Sequence, residues 1–216
     1  MKRRDFSLAA TGLISGGALQ SKAAFAQPKA PQDGAEYVSL DKAAPVSAPP
    51  GKVEVIEFFW YSCPHCNAFE PTFDAWMKRQ PADVAVRRVP VAFRDTFVPQ
   101  QRLYYTLEAM GKVDEMHRKV FHAIHVEKIP LNTQEQIIAW AEKNGLPKAK
   151  FTEVYNSFSV QSNATRAKQL QDDYKVGGVP ALGVAGRYYT EGPMAGSMEN
   201  ALRVVDYLVA NSRKKS

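Results

Sequence analysis

The chain has 216 residues, with 28 lysines and arginines, 22 aspartates and glutamates, and a formal net charge of +6. Its basic residues are scattered, as on an ordinary solvated surface, so the charge does not indicate nucleic-acid binding. The length suits one well-cored domain, or one domain with an insertion. The only two cysteines, Cys63 and Cys66, lie three positions apart.

The first 26 residues have the pattern of a cleaved export signal. A positive start containing Arg3-Arg4 precedes an apolar stretch over residues 8–19, and Ala24-Phe25-Ala26 supplies a small-residue cleavage site. The apolar stretch is too short to span a bilayer, so we expect cleavage near Ala26 and a periplasmic mature protein. The arginine pair resembles a twin-arginine signal, with an ordinary secretory signal as the alternative. Residues 1–26 hold four basic residues and one acidic residue, so 24 basic and 21 acidic residues remain after cleavage, a net charge of +3.

Residues 27–50 are rich in proline and alanine and form an N-terminal segment with a candidate edge strand at Tyr37–Leu40. Apolar and aromatic runs then predict, in chain order, a buried central strand at Lys52–Trp60, a helix at Pro64–Lys78 and a second strand at Asp83–Phe93. Pro90 interrupts the second strand, which indicates a sheet edge or a bulge.

A stretch without strand signals follows, roughly from residue 99 to residue 159. Its apolar spacing predicts four helices: one through Leu103 and Met110, one through Met116 and Ile124, one capped by Asn132 or Thr133 and ending at Gly145, and one over Pro147–Ser157. Three histidines fall within this stretch, His117, His122 and His125, and we interpret them as surface or packing residues.

Strand signals return in the last part of the chain. The predicted elements are a polar helix at Asn163–Lys175, a strand at Ala181–Val184, a turn over residues 185–187, a partner strand at Tyr188–Thr190 and a closing helix at Ser197–Asn211. The sequence contains no internal repeat and no glycine-rich nucleotide-binding motif.

The motif that carries chemistry is Cys63-Pro64-His65-Cys66, at the junction of the predicted central strand and the helix after it. The first turn of a helix has unpaired backbone N–H groups and the positive end of the helix dipole, so we expect the pKa of Cys63 to fall below its usual value of about 8.5. Pro64 suits the first helical position. This pattern predicts dithiol redox chemistry, with Cys63 as the attacking and leaving sulfur and Cys66 as the more buried, resolving sulfur.

His65 lies between the two thiols. An imidazole there donates a hydrogen bond to a thiolate or carries positive charge near it. Stabilising the reduced thiolate makes the disulfide easier to reduce, and therefore a better oxidant of other thiols. The Pro-His dipeptide thus favours a disulfide donor over a reductant.

Three other roles for the cysteine pair are weaker. A zinc site needs about four ligands, and the other histidines lie more than fifty residues away. Covalent haem attachment needs a histidine where Asn67 stands. A structural disulfide this short closes almost no loop and removes little unfolded-state entropy. We therefore expect no metal and no external cofactor, only a redox-active Cys63–Cys66 disulfide.

Two segments resemble the DsbA-type thiol:disulfide oxidoreductases, thioredoxin-fold proteins of the bacterial periplasm. Residues 58–66, Phe-Phe-Trp-Tyr-Ser-Cys-Pro-His-Cys, resemble that family's active-site segment, and Gly177–Leu182 resembles its cis-proline loop. Tyr155–Phe158, with the charged helix after it, is similar as well. The combination of Cys-Pro-His-Cys with Val179-Pro180 is specific, and the resemblance extends from about Tyr37 to the C-terminal helix.

The resemblance implies an α/β thioredoxin fold with an inserted helical domain. The implied division is a signal peptide at 1–26, an N-terminal segment at 27–50, the first half of the thioredoxin domain at 51–96, a helical insertion at 97–160 and the second half at 161–216. It also implies a cis Val179-Pro180 bond facing the disulfide, although the sequence alone favours trans. The backbone of Val179 is then free to pair with an extended substrate strand.

Glu57, six positions before Cys63, matches an acid that the family buries beneath its active site. The residues agree, because Glu57 stands in an apolar run where a charge is costly. We expect this carboxylate to accept or return the proton of Cys66, with Arg88 as its candidate ionic partner. The alternative is that Glu57 faces solvent at a strand edge.

The predicted function is that of a monomeric periplasmic disulfide oxidase. It transfers its disulfide to reduced, unfolded exported proteins and, as the resemblance implies, is re-oxidised by a quinone-linked membrane partner of the DsbB type. A disulfide reductase or isomerase is one alternative, which predominant dimerisation favours. A chaperone-like binding module is another, and it requires a function that survives without Cys63.

Overall fold

The structure is a computed structural model that describes residues 29–213, and the predicted signal peptide at residues 1–26 lies outside them. Its sheet contains the strands β1 (Val38–Ser39), β2 (Val53–Phe59), β3 (Val84–Pro90), β4 (Ala181–Val184) and β5 (Tyr188–Glu191). They lie in the order β1-β5-β4-β2-β3. β2 and β3 pair in parallel, and the other neighbours are antiparallel.

The helices of the described residues are α1 (Pro64–Met77), α2 (Val98–Ala109), α3 (Val113–His125), α4 (Gln134–Lys143), α5 (Lys148–Tyr155), α6 (Phe158–Asp173), α7 (Gly192–Ala195) and α8 (Met198–Arg213). A single 3₁₀ turn over Asp95–Phe97 leads into α2. Since α2 to α6 all lie between β3 and β4 in sequence, they form a helical insertion, which confirms the predicted fold class. Within residues 29–213, no helix is long and apolar enough to cross a membrane.

The β2 strand is buried along its whole length. Its β-branched and aromatic residues suit a strand covered on both faces. It lies between β3 and β4, as the predicted central strand should. Two acids, Glu54 and Glu57, are buried in it together with the apolar residues, so each needs a charged or hydrogen-bonding partner.

Alternate residues of β2 contribute to two apolar clusters. Val55 packs in one cluster with Phe73 of α1 and Val205 of α8. Phe58 belongs to the other, together with Leu103 of the insertion. Covered on both sides, β2 gives the junction with α1 a rigid base.

The boundary before α6 differs from the prediction. The fourth helix of the insertion ends at Tyr155 rather than at Ser157, and α6 begins at Phe158 rather than at Asn163. The physical reason is a helix cap, since the hydroxyl of Ser157 accepts a hydrogen bond from the backbone N–H of Val160 at 3.3 Å. α6 therefore continues across residue 160, where the predicted insertion ends.

The edges of the sheet are short or interrupted. β1 contains two residues, and β3, at the opposite edge, ends at Pro90. The prediction of a sheet edge from Pro90 is confirmed. The other predicted strands and helices are present with small shifts at their ends, while α7 was not predicted.

The packing around Gly183 of β4 predicts that one added methyl group at this position destabilises the fold. A Cβ on Gly183 falls 2.5 Å from a ring carbon of Tyr174, a fully buried side chain whose hydroxyl accepts a hydrogen bond from the N–H of Gly186. Gly183→Ala should therefore lower the free energy of unfolding by about 1–3 kcal/mol in urea titrations, because the ring has to move. Gly177→Ala is the matched control, since its Cβ has no neighbour within 4 Å. Equal stabilities for the two variants contradict this account of the packing.

Candidate active site

Cys63 is the N-cap residue of α1. Its backbone is extended, its N–H donates to the carbonyl of Trp60 at 3.0 Å, and its sulfur accepts a hydrogen bond from the N–H of Cys66 at 3.3 Å. Pro64 occupies the next position, where the missing N–H of proline costs nothing. The chain therefore places one sulfur at the positive end of the helix, as the sequence predicts.

Both cysteines are free thiols in the structure, but their environments differ. The sulfur of Cys63 receives a hydrogen bond from the thiol of Cys66, which is the largest influence and outweighs the effect of burial, so the pKa of Cys63 is lowered to about 6. Backbone N–H groups of Cys66 and His65 and the charge of His65 lower it further. Burial raises the pKa of Cys66, which has no exposed surface. The site thus favours the thiolate form of Cys63 and the neutral thiol form of Cys66.

Val179 and Pro180 approach the cysteines from the start of β4. Their peptide bond is cis, and the thiol of Cys63 donates to the carbonyl of Val179 at 3.3 Å. This contact joins two segments that are 116 residues apart in the chain. It leaves the first cysteine facing backbone rather than a side chain that can ligate metal. Among residues 29–213 no group of three or more His, Cys, Asp or Glu side chains is arranged to hold a metal ion.

A groove of about 310 Å³ opens next to this contact. Its lining residues are His65, Gly178, Val179, Pro180, Glu191, Gly192, Pro193 and Met198. The lining is mainly apolar, and Glu191, whose carboxylate accepts from the hydroxyl of Tyr189 at 2.7 Å, supplies the one carboxylate. His65 thus lies between the dithiol and a surface suited to an extended peptide.

Beneath the dithiol, Glu57 forms an ion pair with Arg88. The Nε of Arg88 lies 3.0 Å from Glu57, and one of its Nη atoms bonds Glu70 at 2.9 Å and Asp74 at 2.7 Å. Burial and the nearby charge of Glu70 raise the pKa of Glu57 well above its usual value, despite Arg88. One oxygen of Glu57 has no hydrogen-bond partner among the described residues. The expected acid and its expected partner are therefore in contact, and the alternative of an exposed Glu57 is wrong.

Glu70 was not among the predicted site residues. It is fully buried and accepts from Arg88 and from His117. Burial works against ionisation of Glu70, but the hydrogen bond from His117 and the charge of Arg88 prevail, so its pKa is lowered. The sequence held one signal: Glu70 lies four positions after Cys66 and three before Phe73, and so shares a side of the helix with both.

The three histidines of the insertion have different surroundings. His122 is exposed and bonds Glu127, as expected of a surface residue. His117 is buried against Glu70 and Tyr61, and His125 bonds the carbonyl of Tyr61 at 2.8 Å. Two of the three therefore contact the turn that carries Cys63, which helical spacing alone did not reveal.

The family model of the DSBA-like thioredoxin domain matches residues 54–203 of the chain. The chain belongs to this family. The thiol:disulfide interchange protein DsbA of Burkholderia cepacia is 42% identical over 208 residues, which cover 96% of this chain and 98% of that protein. The protein of the same name from Bordetella pertussis is 43% identical and covers 94% and 97%. A crystal structure of a Pseudomonas aeruginosa DsbA variant superposes with a TM-score of 0.82 at 40% identity, covering 87% of this chain and 100% of that one.

Membership in the DSBA-like family, with relatives of this identity over nearly the full chain, gives the activity. The chain is a thiol:disulfide interchange enzyme, a protein disulfide oxidoreductase. The buried dithiol at the start of α1 is the only cysteine pair that the sequence offers for this chemistry.

The buried ion pairs predict that loss of Arg88 lowers the free energy of unfolding by a large amount that depends on pH. Arg88→Met strands Glu57 and Glu70 without a cation, which should lower the free energy of unfolding by about 3–5 kcal/mol at pH 7. Without Arg88 the folded-state pKa of Glu57, which is already raised, rises further and that of Glu70 rises as well, so stability is lost as pH rises. The deficit measured by urea denaturation should therefore be smaller at pH 5 than at pH 7.

Two further variants test this explanation. Arg87→Met removes the neighbouring arginine, which forms a single ion pair with Glu54 and is one-third exposed, and should cost less than half as much. Adding Glu57→Gln to Arg88→Met should recover part of the loss, because one stranded charge disappears. A deficit that is independent of pH and of Glu57 points to lost packing instead.

The lowered pKa of Cys63 predicts how reduction affects stability. A thiol whose folded-state pKa is about 6 stabilises the reduced fold as pH rises above 6, up to the unfolded value of about 8.5, and the contribution is lost as pH falls through 6. The free energy of unfolding of the reduced protein, relative to the oxidised one, should therefore increase between pH 5 and pH 8. Cys63→Ala has no thiolate at this position and cannot form the disulfide, so its free energy of unfolding should follow the pH dependence of the oxidised protein. Thiolate absorbance at 240 nm should show a midpoint near 6 in the reduced protein.

Proposed function

We propose that this enzyme works as a disulfide donor. It transfers its Cys63–Cys66 disulfide to reduced, unfolded exported proteins in the periplasm. The observation that carries the proposal is the lowered pKa of Cys63, because a thiol with a pKa of about 6 is a good leaving group at neutral pH. A destabilised disulfide accepts electrons readily, so the equilibrium favours oxidation of the client.

The exchange takes two steps, and Cys63 takes part in both, first as the sulfur attacked and then as the leaving group. A client thiolate attacks the sulfur of Cys63, the bond to Cys66 breaks, and Cys66 departs with the electron pair and takes up a proton. A second client thiolate then attacks the client sulfur of the mixed disulfide, and Cys63 leaves as a thiolate. The client loses two electrons and gains a disulfide, and the enzyme is left as the dithiol.

Glu57 is the proposed proton carrier for Cys66. The Cys66 thiolate formed in the first step is unfavourable in its buried position and needs a proton. Glu57 has a raised pKa and an oxygen without a partner among the described residues, and its charge contributes to the high pKa of Cys66. A carboxyl with a raised pKa takes up a proton more readily than an ordinary one, so it can deliver a proton to Cys66 and recover it as Cys66 changes state.

Val179, Pro180 and His65 are the proposed binding residues. The half-buried backbone of Val179 adjoins Cys63, so an extended client segment can pair with it while a neighbouring side chain enters the apolar groove. His65 lines the same groove and adds positive charge near the thiolate of Cys63. A DsbB-type, quinone-linked membrane partner, which would re-oxidise the dithiol, is proposed to use the same surface in turn.

The proposal includes the export of the enzyme and its oligomeric state. Residues 1–26 direct export, by a twin-arginine-like signal cleaved near Ala26, and the mature enzyme acts as a monomer with no metal and no external cofactor. The relatives that match over 94% to 96% of the chain are named thiol:disulfide interchange proteins, which supports the exchange activity.

Equilibration of the reduced mature protein with glutathione buffers of graded poise tests the direction of exchange. Trp60, which stacks on Phe97 with ring centroids 3.8 Å apart, provides a fluorescence signal close to the dithiol. We expect half-reduction at a potential above about −200 mV, that is, at the poise of an oxidising compartment. Reduction only below about −270 mV, in the range of a thiol reductant, would contradict the donor proposal and favour a reductase.

Trapping of clients in cells distinguishes exchange chemistry from simple binding. In Cys66→Ser the thiolate of Cys63 can still attack a disulfide of an exported protein, which forms a mixed disulfide and releases one client thiolate, and this mixed disulfide should accumulate because the resolving thiol is absent. The matched variant Cys63→Ser should accumulate none. Full function of Cys63→Ser in cells would indicate a chaperone-like module. A dimer in solution, together with efficient rearrangement of wrong disulfides, would indicate an isomerase.

A further inference from the structure

Tyr61, two residues before Cys63, is held at three points by one helix of the insertion. Its hydroxyl is hydrogen-bonded to Nδ1 of His117 at 2.9 Å, and its carbonyl accepts from Nε2 of His125 at 2.8 Å. Between these contacts its ring packs edge-on against Phe121, with centroids 5.1 Å apart. Residues four apart share one side of a helix, so His117, Phe121 and His125 form a continuous surface, here termed the histidine face of α3.

The hydrogen bonds assign a protonation state to His117. Nε2 of His117 lies 3.1 Å from an oxygen of Glu70, whose lowered pKa keeps it ionised, so this nitrogen carries the hydrogen. Nδ1 then accepts from Tyr61, and the neutral ring has both of its nitrogens paired. Burial lowers the pKa of His117, against the effect of Glu70, which agrees with a neutral ring. The other charged groups near it are Arg88 and Asp74.

The same bonds continue to the floor of the redox site. Glu70 binds Arg88, and Arg88 binds Glu57, the acid whose charge acts on Cys66. This line of contacts does not conduct protons, because a guanidinium does not release one in proteins. It fixes positions instead, because Tyr61, two residues before Cys63, and Glu57 are both tied to one buried charge cluster.

The turn between β2 and α1 has a second support from the insertion. Gln100 of α2 is buried, and its side chain accepts from the N–H of Ser62 at 3.2 Å and donates to the hydroxyl of Ser62 at 2.7 Å. Tyr61 and Ser62 thus both contact helices outside the thioredoxin-like part. The N–H of Cys63, bonded to Trp60, closes this turn, so the cap geometry of Cys63 depends on where the turn is held.

We propose that the histidine face of α3 is a positioning element of the redox site: by holding Tyr61, it keeps Cys63 in the cap geometry that favours its thiolate. The helical insertion then sets how readily the disulfide accepts electrons, in addition to covering the site. This inference rests on the proposed disulfide donation at Cys63. His117 and Tyr61 act through the turn and touch no reacting atom.

Tyr61→Phe is the primary test, since it removes one oxygen and keeps the ring. Without the hydroxyl the turn is less firmly held and the thiolate of Cys63 is less stabilised. The midpoint of thiolate absorbance at 240 nm should rise by about half a pH unit, and the glutathione equilibrium should shift about threefold towards the disulfide. His117→Phe should shift both in the same direction, and the double variant should add little to either single variant, because both break the same link.

His117→Gln offers a conservative rescue, because its amide can accept from Tyr61 and donate to Glu70 as the imidazole does; both readouts should lie between wild type and His117→Phe. His122→Gln, on the exposed side of the same helix, is the matched control and should change neither. Lower thermal stability of Tyr61→Phe, with an unchanged thiolate midpoint and an unchanged glutathione equilibrium, would overturn the inference and leave a structural role only. Tyr61→Phe decides the matter if His117→Phe does not fold.

Different results would contradict disulfide donation and the positioning role of the histidine face. If the wild-type protein reduces only at strongly reducing poise, disulfide donation is wrong, whatever the variants do. If the wild-type protein is oxidising but Tyr61→Phe and His117→Phe match it in both readouts, only the positioning role is wrong.

Discussion

The redox site depends on a cysteine in the N-cap position of α1. A helix that starts directly after a buried strand presents its unpaired N–H groups at the strand's end, and here the sulfur of Cys63 accepts one of them. The same helical turn carries Cys66 inward, where it has no exposed surface. The position of the helix start therefore produces both halves of the chemistry: a first sulfur that is stabilised as an anion and a second, fully buried sulfur that is not.

Much of this arrangement could be predicted, because it is local. The apolar run of β2, the proline after Cys63 and the aromatic spacing of α1 fix the junction from about twenty-five consecutive residues. The cis bond before Pro180 could not be derived in this way, since most such bonds are trans, and it followed from the family resemblance. The start of α6 was misplaced because Ser157 resembles the end of one helix as much as the cap of the next.

The rest of the site depends on contacts between distant parts of the chain. His117 meets Glu70 across 47 positions and Tyr61 across 56, and helical periodicity places His117 on a buried face without naming its partners. The same holds for the guanidinium of Arg88, which joins acids from a strand and a helix. A buried acid in a sequence requires a partner, but only tertiary structure identifies it.

The short edges of the sheet have a consequence for an enzyme that is proposed to meet unfolded chains. Exposed strand edges are templates for aggregation with other extended segments. Of the described strands, the two at the edges are β1, with only two residues, and β3, which carries two arginines and ends at a proline. An extended client therefore finds a poor template at either edge of the sheet, which leaves the segment before β4, next to Cys63, as the proposed place for backbone pairing.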